Sequence, residues 1–133
     1  MGLFDLFRKK ETTLDGGQQK WNRLWELWED GRAASPFAEI MTYQSEVNNG
    51  GHDQYFTNLS SRGDLEKELA VLEKALPEPH RQNLQRAWDA YRTLEVQEDG
   101  RAEETLEQCD DFFYAHEATI NAALQAYADT LRP

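Results

Sequence analysis

Apolar side chains recur at intervals of three and four residues along most of the chain, which is the spacing of one face of an α-helix. The first such stripe is Trp21, Leu24, Trp25 and Trp28, within a helix predicted over residues 18–30. No stretch alternates apolar and polar residues as a half-buried strand does. The pattern therefore predicts an all-α protein, a single compact multi-helix bundle of about six helices.

Helix start and stop signals divide the rest of the pattern. Ser35 followed by Pro36 predicts a helix start, with Ser35 as the N-cap and Pro36 at the first helical position. Residues 59–63 read as a loop, after which Asp64 is predicted to cap a Leu-rich helix that ends before Pro77. The remaining helices are predicted over residues 78–96, 101–114 and 117–131.

Residues 43–58 break the helical pattern and resume it at once. The quartet Asn-Asn-Gly-Gly at residues 48–51 predicts a helix-to-helix corner, because Asn and Gly adopt the left-handed backbone conformation at little cost. The next helix is then expected to be capped by Asp53 or by a neighbouring backbone carbonyl. Glu46 lies in the last turn before the corner, where a carboxylate opposes the helix dipole. We therefore expect Glu46 to have a specific partner, such as backbone amides of the next helix.

This corner resembles the signature of a known family. Its sequence, Glu-Val-Asn-Asn-Gly-Gly-x-x-Gln-Tyr-Phe over residues 46–56, is similar to that of the bacterial DNA-mimic-protein-like family of small acidic all-helical domains, first described as a domain of unknown function. The similarity covers about residues 20–132. His52 departs from it, because a large apolar residue is expected there. The residues of the motif, to which the resemblance gives a structural role, are Glu46, Asn48, Asn49, Gly50, Gly51, Gln54, Tyr55 and Phe56.

The formal net charge of -11 disfavours direct binding to nucleic acid and favours a basic protein partner. Residues 95–133 hold ten acids and two bases, so most of this charge lies near the C-terminal end. The acids recur every three or four residues and are predicted to line one helix face, about 6 Å apart along the axis. A solvated helix face has the same pattern. The predicted partner-binding residues are Glu98, Asp99, Glu103, Glu104, Glu107, Asp110 and Asp111.

The charge pattern and the resemblance together predict a non-enzymatic, acidic protein-binding module. The resemblance implies a DNA mimic that occupies the basic surface of a nucleic-acid-binding protein. An immunity- or antitoxin-type inhibitor would use the same acids against a basic toxin enzyme. An enzyme would instead use a polar pocket at the corner, formed by Glu46, Asn48, Asn49 and His52. A homodimer is compatible with each of these functions.

Catalytic and metal-binding motifs are not apparent in the sequence. Cys109 is the only cysteine and lies on an apolar stripe, which favours a buried thiol in a reducing cytoplasm. Neither His52 nor His80 has a Ser, Cys or paired acid near it in the sequence with which to form a nucleophile–base couple. The acids around His116 lack the Glu-x-x-His pairs of a di-iron bundle. We therefore expect no catalytic residues, no metal and no cofactor.

The chain divides into an N-terminal segment, residues 1–17, and a helical domain, residues 18–133. Residues 3–10 combine a short apolar cluster with a basic end, as in an amphipathic turn. Docking of this turn on the domain is favoured over contact with a membrane surface. The turn is too short to span a bilayer, and it has neither the apolar region of a secretory signal nor a complete myristoylation motif.

Overall fold

The computed structural model describes residues 16–131 of the protein. It contains five helices: α1 (Gly16–Glu29), α2 (Phe37–Arg62), α3 (Leu65–Ala75), α4 (Glu78–Val96) and α5 (Gly100–Ala128). These residues form no strand, so the predicted all-α bundle is confirmed. Within the same residues, no helix has the length and apolar character needed to cross a membrane. The turn predicted over residues 3–10 lies outside the described part of the chain.

Helix α5 lies at the centre of the bundle and contacts α1, α2 and α4. Its apolar stripe places Phe113 in a cluster of buried aromatic rings, where Tyr43 contacts Phe113 and Tyr55 edge-on at centroid distances of 5.4 and 5.2 Å. Phe56 extends the cluster to Trp88 on α4, at 5.1 Å. Burial of a large apolar side chain contributes about 1.5–3 kcal/mol, so this cluster holds α2, α4 and α5 together.

The predicted corner is a kink inside α2 rather than a break between two separate helices. Gly50 (φ -160°, ψ 20°) and Gly51 (φ 78°, ψ -178°) leave the helical conformation, and the helix continues after them. The predicted loop over residues 59–63 is wrong, because the helix extends to Arg62 and buries Leu59 completely. It ends at Gly63, whose positive φ of 77° allows the amides of residues 63 and 64 to bond back to the last turn.

Of the two predicted N-caps, Ser35 is wrong, and Asp64 is confirmed in position but not in its side-chain bond. Pro36 occupies the N-cap position of α2 after a cis Ser35–Pro36 peptide bond. The Ser35 hydroxyl donates to Glu39 Oε1 at 2.9 Å, so Ser35 is not the predicted N-cap. Asp64 is the N-cap residue of α3, but its side chain makes no capping hydrogen bond. Its backbone carbonyl instead accepts a hydrogen bond from the amide of Glu68.

The last two predicted helices form one helix, α5, with a kink at His116 (φ -118°, ψ 16°). Side chains of α4 bind its backbone at the kink and two turns before it. Asn83 Nδ2 donates to the carbonyl of Cys109 at 2.8 Å, and His80 Nε2 donates to the carbonyl of His116 at 2.9 Å. These two bonds fix the position of α5 along α4.

Candidate protein-binding site

The second segment of α2 is capped by a carboxylate from α5. Asp110 Oδ1 accepts a hydrogen bond from the backbone nitrogen of His52 at 2.8 Å and lies 2.6 Å from His52 Nδ1. A carboxylate is favourable there because the first amides of a helical segment are unpaired and carry the positive end of its dipole. The prediction of a cap from Asp53 or a neighbouring backbone carbonyl is therefore wrong, because the cap comes from a residue distant in sequence.

The ring of His52 is fully buried, and both of its nitrogens have partners. Its Nε2 atom lies 2.6 Å from the Tyr43 hydroxyl. Burial is the main cause that raises the pKa of Tyr43, and the neighbouring Tyr55 is the next. The phenol is therefore protonated, and its O–H group donates a hydrogen bond to Nε2. Nδ1–H then donates to Asp110. A histidine takes the place of the expected apolar residue because each polar atom of its ring is satisfied.

The first segment of α2 is capped from the same face of α5. The Tyr114 hydroxyl donates to the carbonyl of Val47 at 2.9 Å, one of the carbonyls left free where the helix breaks. One turn further along, Glu117 Oε2 accepts from Asn48 Nδ2 at 2.7 Å and from Gln44 Nε2 at 2.9 Å. Helix α5 thus binds both sides of the kink.

Glu46 joins the two segments of α2 directly. Its Oε2 atom accepts hydrogen bonds from Gln54 Nε2 and Asn58 Nδ2, each at 2.9 Å, and Arg62 lies 3.4 Å from Oε1. A specific partner was predicted for Glu46, but the partners are side-chain amides rather than the expected backbone amides. Of the four residues of the hypothetical enzyme pocket, Glu46, Asn48 and His52 each bind a different partner, and Asn49 is exposed.

The acids predicted to bind a partner fall into two groups. Asp99 and Asp110 make structural bonds: Asp99 Oδ1 caps α5 by accepting from the amides of Arg101 and Ala102 at 2.9 and 3.2 Å, and Asp110 binds His52. The other five are exposed and form what we call the acidic face. Its residues are Glu98, Glu103, Glu104, Glu107 and Asp111.

The carboxylates of the acidic face are not neutralised by the described part of the protein. Glu103, Glu107 and Asp111 are spaced four residues apart on α5, so they follow one side of the helix at steps of about 6 Å. None of the five acids has a Lys, Arg or His partner within ion-pair distance among residues 16–131. As far as residues 16–131 are concerned, the acidic face is therefore available to an external cation.

A family model described as DMP19-like protein matches residues 32–131, three quarters of the chain. The protein belongs to the DMP19-like family. No curated protein and no solved structure gives a match. The matched residues include α2 to α5, and with them the kink and the acidic face. Helix α1 of this DMP19-like protein precedes the matched region.

The described residues of this DMP19-like protein contain no group of three His, Cys, Asp or Glu side chains arranged to hold a metal ion. Cys109 is fully buried, and burial raises the pKa of its thiol. It is therefore a protonated core residue, as expected from the apolar stripe on which it lies.

Sequence reasoning missed Tyr114 and Glu117, although both follow Asp110 at helical spacing on the side of α5 that faces α2.

Proposed function

We propose that this DMP19-like protein is a non-enzymatic binding module whose acidic face occupies the basic surface of a nucleic-acid-binding protein in place of DNA. One observation carries the proposal: five exposed carboxylates, one just before α5 and four in its first half, lack an ion-pair partner among residues 16–131. Membership of the DMP19-like family supports the same function.

The chemistry of the acidic face suits a protein that binds phosphates. Arg and Lys side chains arranged to pair with phosphate oxygens also form charge-assisted hydrogen bonds with carboxylates. A concentration of one sign of charge also steers the encounter with an oppositely charged surface. The net charge of -11 repels nucleic acid itself, so the expected partner is a basic protein.

The packing of α5 supports this use of the acidic face. Asp110, Tyr114 and Glu117 bind the kinked α2 on one side of α5, and Asn83 and His80 bind its backbone from α4. The helix that presents the acids is thus held on two sides. Preorganised carboxylates lose less conformational entropy on binding than acids on a flexible segment.

Charge reversal tests the proposal. The variant Glu103→Lys/Glu107→Lys/Asp111→Lys removes the centre of the acidic face. The control Glu29→Lys/Glu66→Lys/Glu73→Lys reverses three exposed acids on α1 and α3 and changes the net charge equally. Each protein is immobilised, and basic proteins are captured from a lysate of the source organism. We expect the wild type and the control to retain a nucleic-acid-binding protein that the first variant loses.

Competition with double-stranded DNA then distinguishes the possible partners. If the acidic face substitutes for DNA, an added duplex releases the captured protein from the wild type. Equal capture by both variants would contradict any role of the acidic face. Capture that depends on the acidic face but is indifferent to DNA would reject DNA mimicry and favour inhibition of a basic toxin enzyme.

A further inference from the structure

The junction between α2 and α3 contains buried oxygen atoms that have no hydrogen-bond partner. A cavity of about 190 Å³ is lined by Glu39, Asp64, Lys67 and Glu68. Among the described residues, nothing donates a hydrogen bond to the buried Oε2 atoms of Glu39 and Glu68, and the buried hydroxyl of Tyr55 is also without a partner. A buried oxygen without a hydrogen-bond partner destabilises the folded state, and an ionised one does so most. Protonation of a carboxylate in this cluster is therefore favoured.

The charges around Glu68 favour a proton on that residue. Burial, followed by the negative charges of Glu39 and Asp64, raises the pKa of Glu68 to about 7, against the opposing effects of Arg62 and Lys67. When Glu68 is protonated, the two remaining carboxylates balance the two cations. When Glu68 is ionised, the junction holds an excess negative charge beside the buried phenol of Tyr55.

Arg62 connects this junction to the kink of α2. Its guanidinium lies 3.4 Å from Glu46 Oε1, and its charge also acts on Glu68. Glu46 in turn accepts hydrogen bonds from Gln54 and Asn58 across the kink. Arg62 is the last residue of α2 and 54% of its side chain is exposed, so packing does not hold the guanidinium in one position.

We propose that Glu68 and Arg62 form a proton-operated switch at the α2–α3 junction. A proton on Glu68 leaves Arg62 paired with Glu46. Loss of that proton draws Arg62 toward Glu68 and weakens the bonds that Glu46 makes across the kink. The conformation of the kink then depends on pH in the range in which Glu68 titrates. This switch is independent of any partner at the acidic face.

The test is an NMR titration of the full chain between pH 5 and pH 9. The carboxyl carbon of Glu68 reports its protonation, and the amide of Gly51 reports the kink. We expect Glu68 to titrate with a midpoint near its raised pKa of about 7, and the Gly51 amide to shift with the same midpoint. The variant Glu68→Gln removes that shift of Gly51, and the control Glu66→Gln, at an exposed acid on α3, retains it.

A second variant tests whether Arg62 couples the protonation of Glu68 to the kink. In Arg62→Gln, Glu68 still titrates but the Gly51 amide no longer follows it. The switch is rejected if Glu68 titrates in the ordinary range of a glutamate, if the Gly51 amide does not change through the Glu68 transition, or if its shift persists in Glu68→Gln or in Arg62→Gln.

Discussion

Asp110 Oδ1 lies 2.8 Å from the backbone nitrogen of His52, so a carboxylate on α5 caps a helical segment whose first turn lies 58 residues earlier in the chain. The same oxygen binds the ring of His52, whose other nitrogen binds Tyr43. This continuous set of bonds connects the kink in α2 to the central helix of the bundle. Asp110 therefore contributes to the scaffold, whereas its neighbour Asp111 faces solvent.

Substitution of these adjacent acids should separate the two roles. Asp110→Ala removes a helix cap and a charged partner of a buried histidine, and we expect the free energy of unfolding to fall by about 2–3 kcal/mol. Asp111→Ala should change it by no more than about 0.5 kcal/mol. Urea denaturation of both variants measures the difference. Equal losses would show that Asp110 is not a cap.

Gly51 should be much harder to replace than Gly100, a helical glycine with open space around it. Its backbone, with φ 78° and ψ -178°, lies in a region that is essentially restricted to glycine, and a Cβ atom there would collide with the carboxylate of Asp110. We expect Gly51→Ala to cost at least ~2 kcal/mol of unfolding free energy. Gly100→Ala is the control, because a Cβ at Gly100 meets nothing within 4 Å. Thermal unfolding that ranks the two variants equally would contradict this account.

Local sequence signals predicted the helical class and the conformational break at residues 48–51, because glycine and apolar periodicity act over a few residues. The caps were not predictable in the same way. Asp110 meets His52 only after α5 packs against α2. Glu46 meets Gln54 and Asn58, which lie eight and twelve residues away, only because the kink redirects the helix.

The acidic face was predictable only in part, for a similar reason. Helical spacing lets either Asp110 or Asp111 continue the row of Glu103 and Glu107, and both were therefore predicted to bind a partner. The choice depends on which side of α5 contacts α2, and sequence periodicity does not specify that contact. The histidine at position 52 was the available signal: a polar ring where an apolar residue is expected requires a buried polar partner.

The contact between Tyr43 and His52 should be strongly coupled. Tyr43→Phe leaves Nε2 of a fully buried ring without a donor, and we expect a loss of about 1–3 kcal/mol in the free energy of unfolding. His52→Leu leaves the phenol unpaired. The double variant removes both polar groups, so its loss should be smaller than the sum of the single losses by about 0.5–3 kcal/mol.

The same set of two single variants and one double variant, made at an exposed pair of hydroxyl groups, provides the control. Thr57 Oγ1 and Tyr91 Oη lie 3.2 Å apart at an exposed position of the bundle. Thr57→Ala and Tyr91→Phe should give additive losses, because water can replace either hydroxyl. Additive losses at Tyr43 and His52 as well would show that their short contact contributes no specific energy.

His80 should make stability depend on pH at the acidic end of the neutral range. The ring is 1% exposed and Nε2 donates to the carbonyl of His116, and burial is the main cause that lowers the pKa of His80. The unfolded chain has an ordinary histidine pKa of about 6.5, so it binds a proton before the folded protein does as the pH falls. The stabilisation that neutral His80 contributes to the free energy of unfolding is therefore fully present above pH ~6.5 and decreases below it.

Two variants separate the effect of His80 from that of the carboxylates. The carboxylates are the same in all the proteins compared, so their effect on the pH dependence cancels. His80→Gln keeps a hydrogen-bond donor but removes the titrating ring, and His116→Gln removes an exposed ring from the same region. We expect the wild type and His116→Gln to lose more unfolding free energy between pH 7 and pH 5 than His80→Gln, as measured by urea denaturation at each pH. An equal pH dependence in all three proteins would mean that the buried ring of His80 is protonated in the folded state as readily as in the unfolded chain.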